Sequence, residues 1–488
     1  MRTITLSLAA AFAMSAAATA EKPSAENSVI RVNATMQSYN LIMPWQKVAP
    51  KSRLGLGAVL PGGKVLVTAQ MVTDATYIEL EKPDTAAKTI AEVVAVDYEA
   101  NLAVLSPTAD KKFLDDRVPL ELAEDLKPGD VVEAWQFEGS GTPVSTKIRI
   151  SKGEIGGYFL PSAYFLKVQA NGPVQYRSGS FTLPVARDGK LAGMLVSYSS
   201  KDQISHILPA PIIAHFLKDL EDGEYIGYPD LGIAYAQTLD DQFRKFLKLN
   251  GHKGGIYVSK VLEGASAHAA GVKEGDVILS IGGHDIDSRG NYAHPIWGKI
   301  GLGHIVRGEA FTGDVLKIEI LRKGKKKELD LELLRRNPED ELIDPYSFDK
   351  GPRFVVVGGL VFQELSLPFL KLFGNDWQSR APIKLLMANA NPEKYMKQGR
   401  RKLVMLTRSI HTPTTLGYAK LSTLIVSKVN GQQTNDLNDL VAALEKPEGG
   451  QHRIEFEDFP KLIFLDVEQA EQVNKVIKER FGITQRLD

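Results

Sequence analysis

Two stretches of this chain repeat one another. Val277-Ile278-Leu279-Ser280-Ile281-Gly282-Gly283 and Leu424-Ile425-Val426-Ser427-Lys428-Val429-Asn430-Gly431 each read as a strand running into a glycine turn. A helix candidate follows each turn, clearest at 436–444. Each unit then closes on a strand pair, 315–321 with 328–333 and 453–456 with 462–465. The period is too long for a solenoid, so the pattern predicts two separate α+β domains built to one plan. Between them, 336–350 reads as a polar linker, and Lys323-Gly324-Lys325-Lys326-Lys327 as a solvated hairpin turn.

Ahead of the repeats the pattern changes. Short β-rich runs at 64–68, 77–80, 91–96, 102–105 and 191–196 are separated by turn clusters such as Pro61-Gly62-Gly63 and Arg187-Asp188-Gly189-Lys190. Many short strands at this spacing predict a barrel or sandwich from about Ser28 to Ser200. A helix is expected at 210–220, with Ile212, Ile213, Phe216, Leu217 and Leu220 on one face. At 488 residues the chain has room for about three domains. Lys+Arg and Asp+Glu both number 59, a balance that argues against a nucleic-acid partner. Cysteine is absent, which excludes disulfides, thiolate metal sites and a cysteine nucleophile.

Residues 1–20 stand apart. Arg2 is their only charge, an alanine-rich apolar run follows, and Ala18-Thr19-Ala20 matches a signal-peptidase site. The expectation is an exported, periplasmic protein, or a secreted one as second choice. No later segment is apolar enough to span a bilayer, so stable membrane insertion is not expected.

Several motifs together resemble the Deg/HtrA family. Gly255-Ile256-Tyr257-Val258, Gly264-Ala265-Ser266-Ala267, Ala270-Gly271-Val272 and Lys273-Glu274-Gly275-Asp276-Val277-Ile278 match its first PDZ domain. Gly359-Leu360-Val361-Phe362, Ala381-Pro382 and Val429-Asn430-Gly431 are similar to the divergent C-terminal PDZ of its plant-type branch. The resemblance implies a mainly β chain: a trypsin-like double β-barrel followed by two PDZ-like α+β domains. After the signal peptide read at 1–20, it places the protease-like domain at 21–220, the first PDZ at 221–336 and the second at 346–488.

Read onto this sequence, the family's catalytic positions are altered. Val67-Thr68-Ala69-Gln70-Met71-Val72 puts Gln70 where the resemblance expects histidine, and Asn101-Leu102-Ala103-Val104-Leu105 puts Asn101 at the aspartate position. Ser180 falls at the nucleophile, with Phe181 and Thr182 replacing two glycines; Ser178, Gly179 and Ser180 form the expected oxyanion-hole segment. A glutamine amide holds no proton at a working pH, so serine has no base there to activate it. Loss of one triad member costs on the order of 10⁴ in rate. The expectation is a pseudoprotease. Rescue by His206, His215 or a lysine, giving an active endopeptidase with Ser180 as nucleophile, stays open. The histidines show no i, i+4 pair and no His-Glu-x-x-His, so neither metal nor cofactor is expected.

What would remain is binding. The resemblance puts the PDZ carboxylate loop at Asp230, Leu231, Gly232 and Ile233, where Gly232 allows the turn and Asp230 sits badly for an anion. Gly359-Leu360-Val361-Phe362 is the analogous candidate in the second repeat. The expected partners are peptides or unfolded proteins, with the chain acting as chaperone or adaptor. An active paralogue that it regulates is the alternative, and the resemblance implies a homo-oligomer, a trimer or a multiple of one.

Overall fold

The computed structural model describes residues 22–160, 163–175, 182–221, 223–249 and 251–487. The leader expected at 1–20 lies outside the described residues, as do Ser178, Gly179, Ser180 and Phe181.

Twelve strands close into two six-stranded barrels. The first comprises β1 (Val29–Met36), β2 (Lys51–Leu60), β3 (Lys64–Val67), β4 (Ala75–Glu81), β5 (Lys88–Asp97) and β6 (Leu102–Pro107), in the order β1-β2-β3-β6-β5-β4. The second comprises β7 (Val131–Phe137), β8 (Pro143–Gly156), β9 (Phe165–Asn171), β10 (Leu183–Arg187), β11 (Lys190–Ser199) and β12 (Ile204–Pro209), in the order β10-β11-β12-β9-β8-β7. Closure leaves neither sheet with an unpaired edge. Inward residues fill each barrel: Ile30, Val32, Val65 and Leu80 in the first, Val132, Ile148, Val168 and Leu195 in the second. A third apolar cluster sits between the barrels, where Phe165 and Trp135 meet Phe216 from the helix Ala210–Asp219. This is the double barrel that the sequence resemblance implies.

The first repeat contains β13 (Ile233–Ala236), β14 (Ile256–Val261), β15 (Val277–Ile281), β16 (His284–Asp285), β19 (Val315–Arg322) and β20 (Lys325–Glu332) in one sheet. A separate hairpin, β17 (Asn291–His294) with β18 (Gly298–Gly301), precedes the short helix Gly303–Arg307. The lysine run does form a hairpin turn, with Lys323 at positive φ next to Gly324. The second repeat contains β21 (Phe354–Val357), β22 (Leu360–Glu364), β23 (Val404–Ser409), β24 (Leu424–Val429), β25 (Gln432–Gln433), β26 (Gln451–Phe456) and β27 (Leu462–Asp466). Its helix Leu437–Leu444 starts where the sequence predicts, because the Asp436 side chain caps the Asp439 N–H at 2.9 Å.

The segment between the repeats corrects the reading of a polar linker. Leu342 and Ile343 are buried, and Tyr346 and Phe348 stack with Tyr98 and Phe159 on the barrels. Asp349 and Asp74 each accept the other's backbone N–H, at 2.7 and 2.8 Å. Charge in the sequence hid four apolar side chains spaced to reach two neighbouring domains. The second repeat also grips the β1–β2 loop: the Arg486 guanidinium lies 4.4 Å from the Tyr39 ring, and Gln363 Nε2 donates to Leu41 O at 3.1 Å.

The first repeat docks on the barrels through buried charge and close packing. Arg307 lies 3.1 Å from Glu99, and Arg335 lies 3.6 Å from Glu99 and 3.9 Å from Asp97. Burial pushes the Glu99 carboxyl up, and the two guanidiniums oppose that shift. Trp297 packs on the bare Cα of Gly153 in β8, where a Cβ would come within 2.6 Å of the indole.

Candidate functional site

The segments that carry Gln70 and Thr182 meet around one glycine. A Cβ on Gly55 would collide with the methyl of Thr182 and come within 2.7 Å of Met71 Sδ. Met71 neighbours Gln70, and Thr182 is the first described residue after the expected nucleophile segment, so the stretch around Gln70 and the stretch that begins at Thr182 converge on β2. Thr182 is further tied there: Leu56 N donates to Thr182 O at 3.2 Å, and Thr182 Oγ1 to Leu56 O at 3.3 Å. Gln70 lies in the helical turn Ala69–Val72, and its backbone N–H donates to Asn101 Oδ1 at 3.0 Å. Asn101 is fully buried at φ 58°, a left-handed conformation that asparagine tolerates better than most residues. Its Nδ2 finds no acceptor among the described residues.

The two histidines weighed as substitute bases are engaged elsewhere. His206 Nδ1 meets Ser197 Oγ at 2.9 Å across the β11–β12 pair, and its Nε2 lies 3.8 Å from Glu154. Burial, then the nearby Lys167, hold the His206 imidazole below its ordinary range. His215 is stacked between Tyr228 and Phe311, with centroids 4.3 and 3.9 Å away, and its Nε2 meets Ala310 O at 3.0 Å. It is a wedge between helix Ala210–Asp219 and the first repeat.

Sequence spacing missed a different grouping. His294, His304 and Glu309 bring donor atoms within 4.8 Å of one another in the first repeat. However, His294 Nδ1 accepts the N–H groups of Ile296 and Trp297, at 3.1 and 3.2 Å. In the neutral ring Nε2 must then carry the proton, which leaves no lone pair there for an ion. Tyr292 O–H also donates to Glu309 Oε1 at 2.6 Å. The group reads as a polar knot behind helix Gly303–Arg307.

Asp230, Leu231, Gly232 and Ile233 together line a cavity of about 610 Å³. The cavity lies between the first repeat and the second barrel, with Glu154 and Tyr164 on one wall and Leu302 and Arg307 on the other. Among the described residues strand β13 is the edge of its sheet, paired with β14 alone, so its outer side is open to another strand. Gly232 takes φ +71° and packs so closely on Ala265 that no side chain would fit. Its N–H donates to the Asp230 carboxylate, Oδ1, at 3.2 Å, while Asp230 Oδ2 lies 3.8 Å from Arg336.

The second repeat corrects the parallel candidate. The two sheets correspond strand by strand: β13 with β22, β14 with β23, β15 with β24, and the closing hairpins with each other. The difference is β21, which pairs along β22 on the side that β13 leaves open. Leu360, Val361 and Phe362 are therefore fully buried in an interior strand and present no free edge. The loop itself is also occupied, since Gly358 N–H donates to Asn474 Oδ1 at 2.8 Å.

Comparison with known proteins agrees with this architecture. A family model described as PDZ domain matches residues 232–292, and a second of the same description matches 343–487. A putative protease Do-like 3, mitochondrial, of Arabidopsis thaliana is 27% identical over 460 residues, spanning 93% of this chain and 78% of that protein. A protease Do-like 4, mitochondrial, of the same plant is 27% identical over 458 residues, spanning 93% and 83%. Among solved structures, a variant of the HtrA-type protease AlgW with a decapeptide is 20% identical. It covers 64% of this chain and 95% of its own, at a TM-score of 0.50, a likeness of fold. Among the described residues, no helix is long and apolar enough to cross a membrane.

Proposed function

The chain belongs to the Deg/HtrA family, a trypsin-like double barrel with two PDZ domains, and on that premise we propose that it is a proteolytically silent peptide-binding member. The observation that carries the reading is the Gln70–Asn101 pair. The Asn101 side chain accepts the Gln70 backbone N–H and braces the turn, yet neither side-chain amide can take a proton from Ser180. The engagement of His206 and His215 elsewhere supports it, because both would have to leave existing partners to serve as base. With 1–20 read as a signal peptide, its setting is the periplasm. Its role there is to hold unfolded or extended polypeptides at the open edge of the first PDZ domain, as chaperone or adaptor, in an oligomer of the family type.

The test is cleavage of β-casein by the mature chain beside its Ser180→Ala variant. No cleavage by either, over days at high protein concentration, is the expected outcome. Serine-dependent cleavage would overturn it and assign Ser180 an atypical base. A Gln70→His, Asn101→Asp double variant then asks what was lost. Returning proteolysis locates the defect in proton transfer, and continued silence locates it also at Phe181 and Thr182.

A further inference from the structure

We propose that the first PDZ domain takes an extended apolar segment from the interior of an unfolded polypeptide, not a free C-terminus, and that Asp230 sets this preference. The proposal deepens the peptide-binding reading above and rests on it.

A loop that captures a terminal carboxylate does so with open backbone N–H groups and the positive end of their dipoles. Here the Gly232 N–H already donates to a carboxylate, that of Asp230, within the same loop. A ligand carboxylate would have to displace Asp230 or lie beside it, and like charges a few Å apart repel even in a half-exposed site. Arg336, 3.8 Å from Asp230 Oδ2, is already opposed to that one anion and to Glu341. A chain that passes the loop without ending brings no second charge.

The second PDZ domain shows such an occupant. Its β21 lies antiparallel along β22, the partner of β13 in the repeat, in register from Phe354↔Gln363 to Val357↔Leu360. Its C-terminal end arrives at the glycine loop, where a captured terminus would stop. Instead the chain continues through Gly358 and Gly359, both at positive φ. The segment 353–357, Arg-Phe-Val-Val-Val, is extended and apolar after its first residue. The open side of β13 in the first domain faces the cavity of about 610 Å³, which offers Ile233, Ile300 and Leu302 to alternate side chains of such a strand.

The test uses the full mature chain on an array of ten-residue segments of β-casein, together with a decapeptide of the sequence 351–360. Each peptide is made once as free acid and once as C-terminal amide. The amide forms should bind about tenfold more tightly than the acids. Asp230→Asn keeps an oxygen for the Gly232 N–H and removes the charge, and it should bring the two forms within about twofold. Thermal unfolding close to that of the parent confirms that the variant is folded. Preference for free acids in the parent chain, or an unchanged ratio in Asp230→Asn, overturns the assignment to Asp230. Binding of no peptide in either form overturns the peptide-binding reading itself, and this proposal with it.

Discussion

Asn101 does structural work at the turn between two strands of the first barrel. It bridges β5 and β6 at a left-handed φ of 58° and accepts the Gln70 N–H while fully buried. Alanine there loses a buried hydrogen bond, at about 1 kcal/mol or more, and holds a strained φ, at about another 1–2 kcal/mol. Asn101→Ala should therefore lower unfolding stability by about 2–3 kcal/mol in urea, and Asn101→Gly by less, since glycine relieves the φ. Equal loss in both variants would mean that the φ carries no cost, and no loss in either would mean that the bond does not brace the turn. The sequence was enough to predict the strands at 64–68 and 102–105 beside which Gln70 and Asn101 lie, because short β-rich runs between turn residues carry that signal locally. The bond from the Gln70 N–H to the Asn101 side chain was not legible, since it depends on two turns meeting across 31 positions. The engagement of His215 was not legible for a similar reason: its stacking partners, Tyr228 and Phe311, come from outside the helix that carries it.

At the scale of elements, the strand and glycine-turn repeat was readable since both copies bury β-branched residues on both faces of a central strand, as β15 and β24 do. The β21 strand was not, although Phe354-Val355-Val356-Val357 has strong β propensity, because its significance lies in a comparison of two sheet edges. It makes the two PDZ domains unequal. Phe354 exchanges backbone bonds with Arg486, so the alternation of the strand aims the Val355 N–H at β22. Calorimetric titration with a binding decapeptide should give one site per chain. Val355→Pro removes a ladder bond and should free the β22 edge, raising the count towards two if the domain stays folded, which its circular dichroism reports. Two sites in the unaltered chain would show that ligands displace β21.

At the scale of the molecule, the first PDZ domain is held to the barrels by contacts that differ in their response to acid. At the Glu99, Arg307 and Arg335 cluster burial holds the Glu99 carboxyl above its ordinary value, so the docked state takes up that proton more readily than the undocked one and lower pH favours docking there. His215 responds in the opposite sense. Burial holds its imidazole below the ordinary value of 6.5, against the Ala310 carbonyl and the carboxylates of Asp219, Asp97 and Asp314, which pull the other way. Its Nδ1 has no partner among the described residues, so a proton added there meets an apolar stack of rings. The undocked state, with the ring in water, takes up that proton first. The His215 contribution to docking is thus at full strength above about pH 6.5 and weakens as pH falls towards the lower value of the docked ring. His304, which burial lowers to about 4, adds a loss within the PDZ domain itself over the same descent, from about pH 6.5 down to about 4, because the unfolded ring takes up its proton first. Solution scattering should show the radius of gyration rising between pH 7.5 and 5, and His215→Phe, which keeps the stack and cannot be protonated, should flatten that rise. A rise of the same size in the variant would move the acid response to another group. The groove that β13 shares with Glu154 and Tyr164 exists only while the two domains are docked, so peptide affinity should fall over the same pH interval and recover in His215→Phe.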